Sequence, residues 1–264
     1  MKIGVGIITH NRPELLRKCL YSLIPAQVNE IVVVNDGKPL PFDIGNGVLI
    51  ENEVNLGVGK SKNKALKYLM EKGCDYLFLI EDDIYIKDVS VFSKYIEASK
   101  LTGIQHFNFS QHGMMNKSWP AGTPNPRIVV DYGKIKLPLY PHCVGAFSLY
   151  TRKCIDKIGI IDERYYNACE HVDHTYEIIK AGMHPPFWYF ADIENSWDYL
   201  GDEEWSLEKS TISSKPNHQQ MMKDADKIFV EKHGCLPLQI PLQSVSEITK
   251  FCKQKINELN SINL

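Results

Sequence analysis

The chain has 264 residues and a formal net charge of −2, from 30 basic and 32 acidic side chains. Hydrophobic residues make up 44% and charged residues 23%, which is ordinary for a globular domain and argues against a disordered, collagen-like or membrane-spanning chain. Because the charges are interspersed, nothing resembles the concentrated basic surface of a nucleic-acid-binding protein, and we expect no nucleic-acid partner.

The amino-terminal half alternates strand and helix patterns. "KIGVGIIT" and "EIVVVND" are short apolar β-rich runs, and residues 13–23 between them have apolar side chains at helical spacing. A third run at "GVLIEN" is followed by two glycines, by a helix with Ala65, Leu66 and Leu69 on one side, and by a fourth apolar run, "YLFLI". Continuous apolar strands alternating with helices predict an α/β fold, with a Rossmann-like, mostly parallel sheet flanked by helices.

The second half gives a weaker pattern. "GIQHFNFS" and "HCVGAFSLYT" are typical of strands, and "QHGMMNKSWPAGTPNPR" between them is typical of a long loop of the kind that often binds ligands. Helices are predicted for "HVDHTYEIIKAG", closed by Gly182, and for residues 215–233. A last helix, behind Pro237 and Pro241, is expected to dock on its own domain, with a partner or peripheral contact with a membrane surface as the alternatives.

Cysteine usage and hydropathy bear on the compartment. The seven cysteines include no C-x-x-C pair and are odd in number, unlike a zinc ribbon or a secreted disulfide framework. The amino-terminal stretch lacks the long apolar core of a secretory leader, and no run of about 18 apolar residues occurs. We therefore expect a cytoplasmic protein with reduced thiols.

Polar residues gather where the predicted strands end. Thr9, Asn11 and Arg12 follow the first strand, Asp36 follows the second, and residues 81–83 follow the fourth. In open parallel sheets, ligands bind outside the carboxyl ends of the strands. These positions are therefore the candidate ligand site.

Three adjacent carboxylates, Glu81, Asp82 and Asp83, end the fourth strand. They repel one another and would have raised pKa values unless a cation neutralises them, and Mg²⁺ or Mn²⁺ takes one or two such carboxylates together with diphosphate oxygens. Alternation along an extended segment would point Glu81 and Asp83 one way and Asp82 the other. This assigns Asp83 and Glu81 to the metal and Asp82 to a sugar or ribose hydroxyl, and the alternative is a solvated turn.

Five motifs occur in order along the chain. They are "TxNR" at residues 9–12, "VVNDG" at 33–37, "NLGVGKSKN" at 55–63, "EDD" at 81–83 and the segment from "GAFSLYT" to "EIIKAG" at 145–182. Together they resemble glycosyltransferase family 2, which has the GT-A fold and carries D-x-D at the place of "EDD". The resemblance covers roughly residues 1–190. It implies one GT-A domain over residues 1–235, with a nucleotide-sugar-binding half at 1–103 and an acceptor-side half at 104–235, followed by a C-terminal helical extension at 236–264.

The resemblance implies a glycosyltransferase of the hexosyltransferase type, acting in polysaccharide biosynthesis. With Mn²⁺ or Mg²⁺ as cofactor, it would move a sugar from a UDP-sugar, or another NDP-sugar, to a hydroxyl of a glycan or glycolipid, with inversion. The nucleotide-sugar contacts that it implies are Thr9, Asn11, Arg12, Asp36, Asn55, Gly57, Asn63 and Asp82. The chemistry agrees, since Asp36 can accept a hydrogen bond from a uracil imide and Arg12 can neutralise phosphate. For Asn11 and Asn55, turn formation is an equal alternative.

The chain departs from the family in its second acidic motif. The family's E-D ends in an aspartate that acts as the general base, but here Glu170 is followed by His171, and Asp173 comes two residues later. Because histidine titrates near neutral pH, we prefer His171 as the base, then Glu170, then Asp173, with helix capping as the last alternative. The histidine metal ligand that relatives carry near the carboxyl terminus also has no counterpart, and His218 and Glu194 are the candidates to replace it.

The acceptor contact and two rival functions complete the predictions. Trp119, within the Gly- and Pro-rich loop, is the candidate acceptor contact, although packing is the alternative for it and for Trp188, Trp197 and Trp205. A sugar-1-phosphate nucleotidyltransferase should have a glycine-dense phosphate loop that "GVGIITHNR" lacks. A non-catalytic sugar-nucleotide-binding subunit is the other rival, and the oligomeric state is open.

Overall fold

The computed structural model describes residues 1–203, 212 and 214–262. Its strands are β1 (Ile3–Thr9), β2 (Glu30–Asn35), β3 (Val48–Glu51), β4 (Tyr76–Glu81), β5 (Ile84–Ile86), β6 (His106–Asn108), β7 (Ile128–Asp131), β8 (Lys136–Tyr140), β9 (Phe147–Thr151), β10 (Phe190–Ala191) and β11 (Leu200–Asp202). Its α-helices are α1 (Pro13–Leu23), α2 (Val58–Glu71), α3 (Val91–Thr102), α4 (Arg152–Ile158), α5 (Glu170–Lys180), α6 (Ser196–Tyr199), α7 (His218–His233) and α8 (Val245–Ile262). None of these helices, over the described ranges, has the length and apolar character required to cross a membrane.

A six-stranded sheet in the order β3-β2-β1-β4-β9-β6 forms the centre of the molecule. The first four strands are mutually parallel, and β9 runs antiparallel to both of its neighbours. Thr9 pairs with Asn35 and Ile8 pairs with Glu81, so β1, β2 and β4 end at the same edge of the sheet. The prediction of a mostly parallel α/β fold is confirmed.

Both faces of the sheet are buried, which explains the continuous apolar runs. Along β4, Phe78 belongs to the core on one face, under α1 and α3, whereas Leu77 and Leu79 belong to the core on the other, under α2 and α4. The Phe78 ring packs edge-on against Phe92 with the ring centroids 4.9 Å apart. Burying one such side chain stabilises the fold by about 1.5–3 kcal/mol.

Two glycines let the start of α2 lie directly on the segment before α5. Gly57 has a φ of +88°, and a Cβ atom added there would lie 2.3 Å from the carbonyl oxygen of Tyr166. A Cβ added at Gly59 would lie 2.8 Å from the carbonyl oxygen of Tyr165. Only glycine permits this approach, and it brings the inner face of α2 next to the first residues of α5.

The second half contains a hairpin that the sequence analysis did not anticipate. β7 and β8 pair antiparallel and form a separate three-stranded sheet with β10. The turn between them has Gly133 at a φ of +79°, and its N–H donates to Asp131 Oδ1 at 2.7 Å. The predicted long loop is present. It ends before Ile128, so it is shorter than the region in which the sequence pattern is weak.

The last helix, α8, docks on its own domain. Ile248 and Cys252 are buried in the core beneath α3 and β7. The connection to α8 is fixed by Trp188, whose indole N–H donates to the Ile240 carbonyl at 2.8 Å. The preferred prediction for this helix is confirmed by the burial of Ile248 and Cys252.

Candidate active site

A cleft opens at the carboxyl edge of the parallel strands, where the sequence predicts the ligand site. It has a volume of about 430 Å³, counting the part open to solvent. Its lining residues are Ile8, Thr9, His10, Arg12, Asp36, Asn55, Val58, Glu81, Asn167, Ile212 and Lys215. The structure therefore brings five of the predicted site residues together, namely Thr9, Arg12, Asp36, Asn55 and Glu81.

Asp36 is the buried carboxylate that follows β2. Its Oδ1 accepts hydrogen bonds from the Asn52 side chain at 2.6 Å and from the Leu56 N–H at 2.8 Å, and its Oδ2 accepts from the Gly57 N–H at 2.8 Å. These bonds fix residues 52–57 beside the cleft. An ionised carboxylate has about four acceptor positions, so Asp36 keeps the capacity to accept one more N–H from a ligand.

Arg12 lies across the two aspartates of the acidic turn. Its guanidinium contacts Asp82 Oδ1 and lies 3.0 Å from Asp83 Oδ2. The other oxygen of Asp82 accepts a hydrogen bond from the Thr9 hydroxyl at 2.6 Å. Burial raises the pKa of Asp82 to about 7, against the lowering effect of Arg12 and with a further increase from Asp83.

The expected alternation along residues 81–83 is wrong. β4 ends at Glu81, and Asp82 and Asp83 form the turn that leads into β5. As a result, Asp82 and Asp83 both contact Arg12, whereas Glu81 pairs with Lys62 at 2.9 Å. The two-residue period applies only within an extended strand, which ends here before the second carboxylate. The structure therefore does not place Glu81 and Asp83 on a shared cation.

Lys62, on the inner face of α2, joins the two acidic motifs. Its ammonium lies 2.9 Å from Glu81 Oε1 and 3.0 Å from Glu170 Oε1, and it donates to the Gly145 carbonyl at 3.1 Å. Burial disfavours the charge on Lys62, but the two carboxylates outweigh burial and raise its pKa. Burial also disfavours the charge on the two carboxylates, but Lys62, joined at Glu170 by His171, outweighs burial and lowers the pKa of each. All three groups are therefore charged at neutral pH.

Glu170 and His171 begin α5 beside this lysine. Oε1 of Glu170 lies 3.2 Å from Nδ1 of His171. The His171 ring lies against Gly145, where an added Cβ would be 2.8 Å from His171 Cγ. The His171 side chain is 25% exposed and that of Glu170 only 4%. His171 is therefore the more accessible of the two side chains, and neither of them lines the cleft.

Asp173 faces α7 instead of this pair. Its Oδ2 lies 2.6 Å from the Lys232 ammonium, and its Oδ1 lies 2.7 Å from His233 Nε2 and accepts from the Tyr165 hydroxyl at 3.2 Å. Residues two apart on a helix point in different directions, which separates Asp173 from His171. Asp173 docks α7 on α5, and the structure does not bring this candidate base to the exposed side of His171.

Two predicted nucleotide contacts have structural roles instead. Asn63 is buried, and its side chain donates to the Ile161 carbonyl at 2.8 Å and accepts from the Ile161 N–H at 2.9 Å, away from the cleft lining. Asn11 has a φ of +56°, and its Oδ1 accepts from the Lys38 N–H at 2.9 Å. Asn11 thus shapes the turn after β2, which is the alternative that the sequence analysis left open.

Of the aromatic candidates, Trp119, Trp188 and Trp197 do not line the cleft. Trp119 is 87% exposed, within the loop before β7. Trp188 packs against Phe187 and Ile240, as the packing alternative predicts. Trp205 lies outside the described residues. An exposed Trp119 has a free aromatic face, so it stays the acceptor candidate on this loop.

Asp83 is the predicted metal ligand whose carboxylate is incompletely paired. Within residues 1–203, 212 and 214–262, no three His, Cys, Asp or Glu side chains converge to hold an ion by themselves, and His218 and Glu194 complete no such group. Asp83 Oδ1 is nevertheless buried and has no hydrogen-bond partner among the described residues. This orphaned oxygen fits a hard divalent cation that takes one or two carboxylates and completes its shell with diphosphate and water oxygens.

Sequence reasoning missed Lys62 and His112. Lys62 lies four residues before Leu66, so helical spacing places its ammonium on the buried face, where a charge requires carboxylate partners. The sequence therefore contains a signal for this buried lysine. His112 pairs with Asp202 at 2.8 Å, and Asp202 is paired with Ile84, next to the acidic turn. This contact joins residues that are 90 positions apart in the chain, so no local sequence pattern predicts it.

Comparison with known protein families and with other proteins agrees with the geometry of the site. The family model described as "Glycosyl transferase family 2" matches residues 4–159. An "Uncharacterized glycosyltransferase R363" of Acanthamoeba polyphaga mimivirus is 30% identical over 230 residues, which cover 80% of this chain and 85% of that protein.

Solved structures share the fold at low sequence identity. The mannosyltransferase PcManGT of Pyrobaculum calidifontis, solved with GDP-Man and Mn²⁺, has a TM-score of 0.59 and 11% identity, over 98% of this chain and 73% of that one. S. aureus TarS has a TM-score of 0.56 and 16% identity, over 98% of this chain but only 43% of TarS. A structure of TarS residues 1–349 contains UDP. These chains are GT-A glycosyltransferases, so the predicted GT-A fold is confirmed.

Proposed function

Because the chain belongs to glycosyltransferase family 2 and is a glycosyltransferase, we propose that it moves a sugar from a nucleoside-diphosphate donor to a hydroxyl of a glycan or glycolipid. The observation that carries the proposal is the cleft that a buried nucleotide-side acid, Asp36, lines together with Glu81 and Arg12, the last of which also pairs with Asp82 and Asp83. Transfer occurs with inversion at the anomeric carbon, in the presence of a divalent cation.

The proposed donor is a UDP-sugar. The remaining acceptor capacity of Asp36 suits the imide N–H of uracil, and the cleft side chain of Arg12 supplies positive charge for the diphosphate. TarS with UDP and PcManGT with GDP-Man show that structural neighbours hold different nucleotides. The choice of uracil therefore rests on Asp36, and the nucleoside-diphosphate class rests on the family.

Asp83, with Asp82 beside it, would hold the proposed Mn²⁺ or Mg²⁺. The orphaned Asp83 Oδ1 supports this assignment, as does the Mn²⁺ in the PcManGT structure. When bound, the cation would neutralise the charge that develops on the departing diphosphate. Arg12 already pairs with both aspartates, so its guanidinium lies where it can turn to a donor phosphate.

The test is a nucleotide-release assay with a panel of UDP-, GDP- and other NDP-sugars and soluble glycan acceptors, with Mn²⁺ and with EDTA. We expect release of UDP that depends on both acceptor and metal. Metal-dependent UDP affinity in calorimetry without turnover on any donor would instead indicate a non-catalytic binding subunit. Transfer that is unaffected by EDTA would contradict the metal requirement.

A further inference from the structure

The sequence analysis prefers His171 as the general base of transfer, and we propose that Lys62 and Gly145 are positioning residues for it, which act through Glu170 and through the His171 ring. The inference rests on the proposed function, because it assigns roles within that reaction. Lys62 and Gly145 have no role in the sequence predictions above.

The charge state of Glu170 determines which His171 nitrogen carries the proton. Lys62 lies 3.0 Å from Glu170 Oε1 and keeps this buried carboxylate ionised. An ionised carboxylate only accepts hydrogen bonds, so the Nδ1 atom of neutral His171, 3.2 Å away, must be the donor. The lone pair of the neutral ring is then on Nε2, which is the form that can accept a proton.

Gly145 fixes the position of the ring. An added Cβ would lie 2.8 Å from His171 Cγ and 2.9 Å from its Nδ1, so the ring occupies the space that a side chain would fill. The carbonyl of the same glycine accepts a hydrogen bond from Lys62 at 3.1 Å. One ammonium therefore holds both the carboxylate that orients His171 and the backbone against which the ring packs.

The neighbouring groups leave His171 as the base. Glu170 is 4% exposed and is bound by two donors, while Asp173 is engaged by α7. The titratable groups around the His171 ring are Glu170 directly, Lys62 and Glu81 behind it, and the Cys143 thiol, 4.0 Å from the His171 carbonyl oxygen. Among the three residues of the second acidic motif, His171 has the most exposed side chain, at 25% against 4% for Glu170 and 0% for Asp173.

The transfer step balances with one proton acceptor. The acceptor hydroxyl gives its proton to His171 Nε2, and its oxygen lone pair forms the new bond to the anomeric carbon of the donor. The bond from that carbon to the diphosphate oxygen breaks, and its electron pair leaves with the nucleoside diphosphate. The imidazolium then returns its proton to water, and Glu170 stabilises the cation in the meantime.

The first test measures kcat at saturating donor, with the NDP-sugar that supports transfer, and measures UDP binding with Mn²⁺ by calorimetry. His171→Ala should lower kcat about 100- to 10,000-fold while UDP affinity is unchanged, and added imidazole should restore part of the rate. A full-rate His171→Ala variant would overturn the proposal. So would a loss of UDP affinity as large as the loss of kcat.

The positioning residues are tested separately because Lys62→Met can fail to fold. Gly145→Ala keeps every charge, and displacement of the ring by about 1 Å should lower kcat about 100-fold with unchanged UDP affinity. Lys62→Met is compared with Lys67→Met, which replaces an exposed lysine on the same helix. The Lys67→Met variant should retain the full rate. Wild-type kcat in folded Gly145→Ala, as judged by circular dichroism, would remove Gly145 from the proposal.

A spectroscopic measurement separates this proposal from the proposed function. Nitrogen-15 NMR of the His171 ring, assigned by comparison with His171→Ala, should show the Nδ1–H tautomer in the wild-type protein and a smaller population of it in Glu170→Ala, which removes the acceptor of the Nδ1–H bond. An Nε2–H tautomer in the wild-type protein would overturn the arrangement whether or not transfer is observed. If no donor supports transfer, the proposed function and the role as a base both fail, while the tautomer still reports on the geometry.

Discussion

The two acidic groups at the edge of the sheet are neutralised in different ways. In the acidic turn, Arg12 contacts Asp82 and Asp83 at the cleft, and Asp83 Oδ1 is left without a described partner. At the start of α5, Glu170 shares the ammonium of Lys62 with Glu81, and Lys62 is only 3% exposed. The first group has an oxygen available for an added cation, whereas the two carboxylates of the second already share a buried ammonium. We infer that the first binds ligand and the second orients a side chain.

The largest expected effect is the loss of the buried cation. Lys62→Met leaves Glu81 and Glu170 without their shared partner, and removing one member of a buried ion pair costs about 3–5 kcal/mol. Urea denaturation should show this loss in the free energy of unfolding. Lys67→Met is the control, because its exposed pair with Glu163, at 3.5 Å, should contribute less than about 1 kcal/mol. Equal stability of the two variants would contradict the claim that the second group depends on a shared, buried ammonium.

The pH dependence of stability should have opposite signs in the two groups. Folding raises the pKa of Asp82 from 3.8 to about 7, so the folded state holds this proton more tightly than the unfolded state. The contribution of Asp82 to the free energy of unfolding is greatest below about pH 4. This contribution decreases by at most about 4 kcal/mol as the pH rises to about 7. For Glu170, whose pKa is lowered from 4.5, the contribution is present above that value and is lost on acidification.

The variant Asp82→Asn isolates the first of these contributions. We expect its free energy of unfolding to fall less than that of the wild-type protein between about pH 4 and pH 7, because asparagine does not titrate. Urea denaturation at intervals across this range, without divalent metal, is the measurement. Parallel profiles for the two proteins would show that Asp82 is ionised throughout and that Arg12 fully neutralises it.

A smaller effect is expected from ligand binding at the first group. If Asp83 holds the cation, Mn²⁺ with UDP should raise the thermal unfolding midpoint of the wild-type protein, by the equivalent of about 2.7 kcal/mol when the ligand is at 100 times its dissociation constant. Asp83→Asn should lose most of the increment that Mn²⁺ adds to UDP alone. Asp156→Asn, an exposed aspartate on α4, should retain it. An unchanged Mn²⁺ increment in Asp83→Asn would place the cation elsewhere.

The sequence predicts the parallel half of the fold well, because that half is built from local periodicity. The runs ending at Thr9, Asn35 and Glu81 are buried on both faces, so each is continuously apolar and bounded by polar residues. The β7–β8 hairpin was missed because its strands are short and partly exposed, and its pairing with β10 joins residues about 50 positions apart. Periodicity carries no information on such a contact.

The candidate site was predictable in its position but not in its pairings. The position follows from strand ends, which placed Asp36, Arg12 and the acidic turn at one edge. The pairings depend on where an element stops and on which helices touch. The end of β4 at Glu81 decided the orientation of the carboxylates, and the contact of α5 with α7 took Asp173 away from the site.

Glu81 gives the smallest expected effect and the sharpest contrast, since it is the last residue of β4, next to the acidic turn of the first group, but is paired within the second. If its carboxylate serves Lys62, the variant Glu81→Gln should keep the full Mn²⁺ increment that Asp83→Asn loses, because the cation does not use it. The glutamine oxygen can still accept a hydrogen bond from Lys62, and Glu170 still balances the charge, so the free energy of unfolding should fall by only about 1–2 kcal/mol. Thermal unfolding with and without Mn²⁺ and UDP measures both quantities. Loss of the Mn²⁺ increment in Glu81→Gln would restore Glu81 as a metal ligand, as the acidic motif alone predicts, and would mean that ligand binding draws its carboxylate away from Lys62.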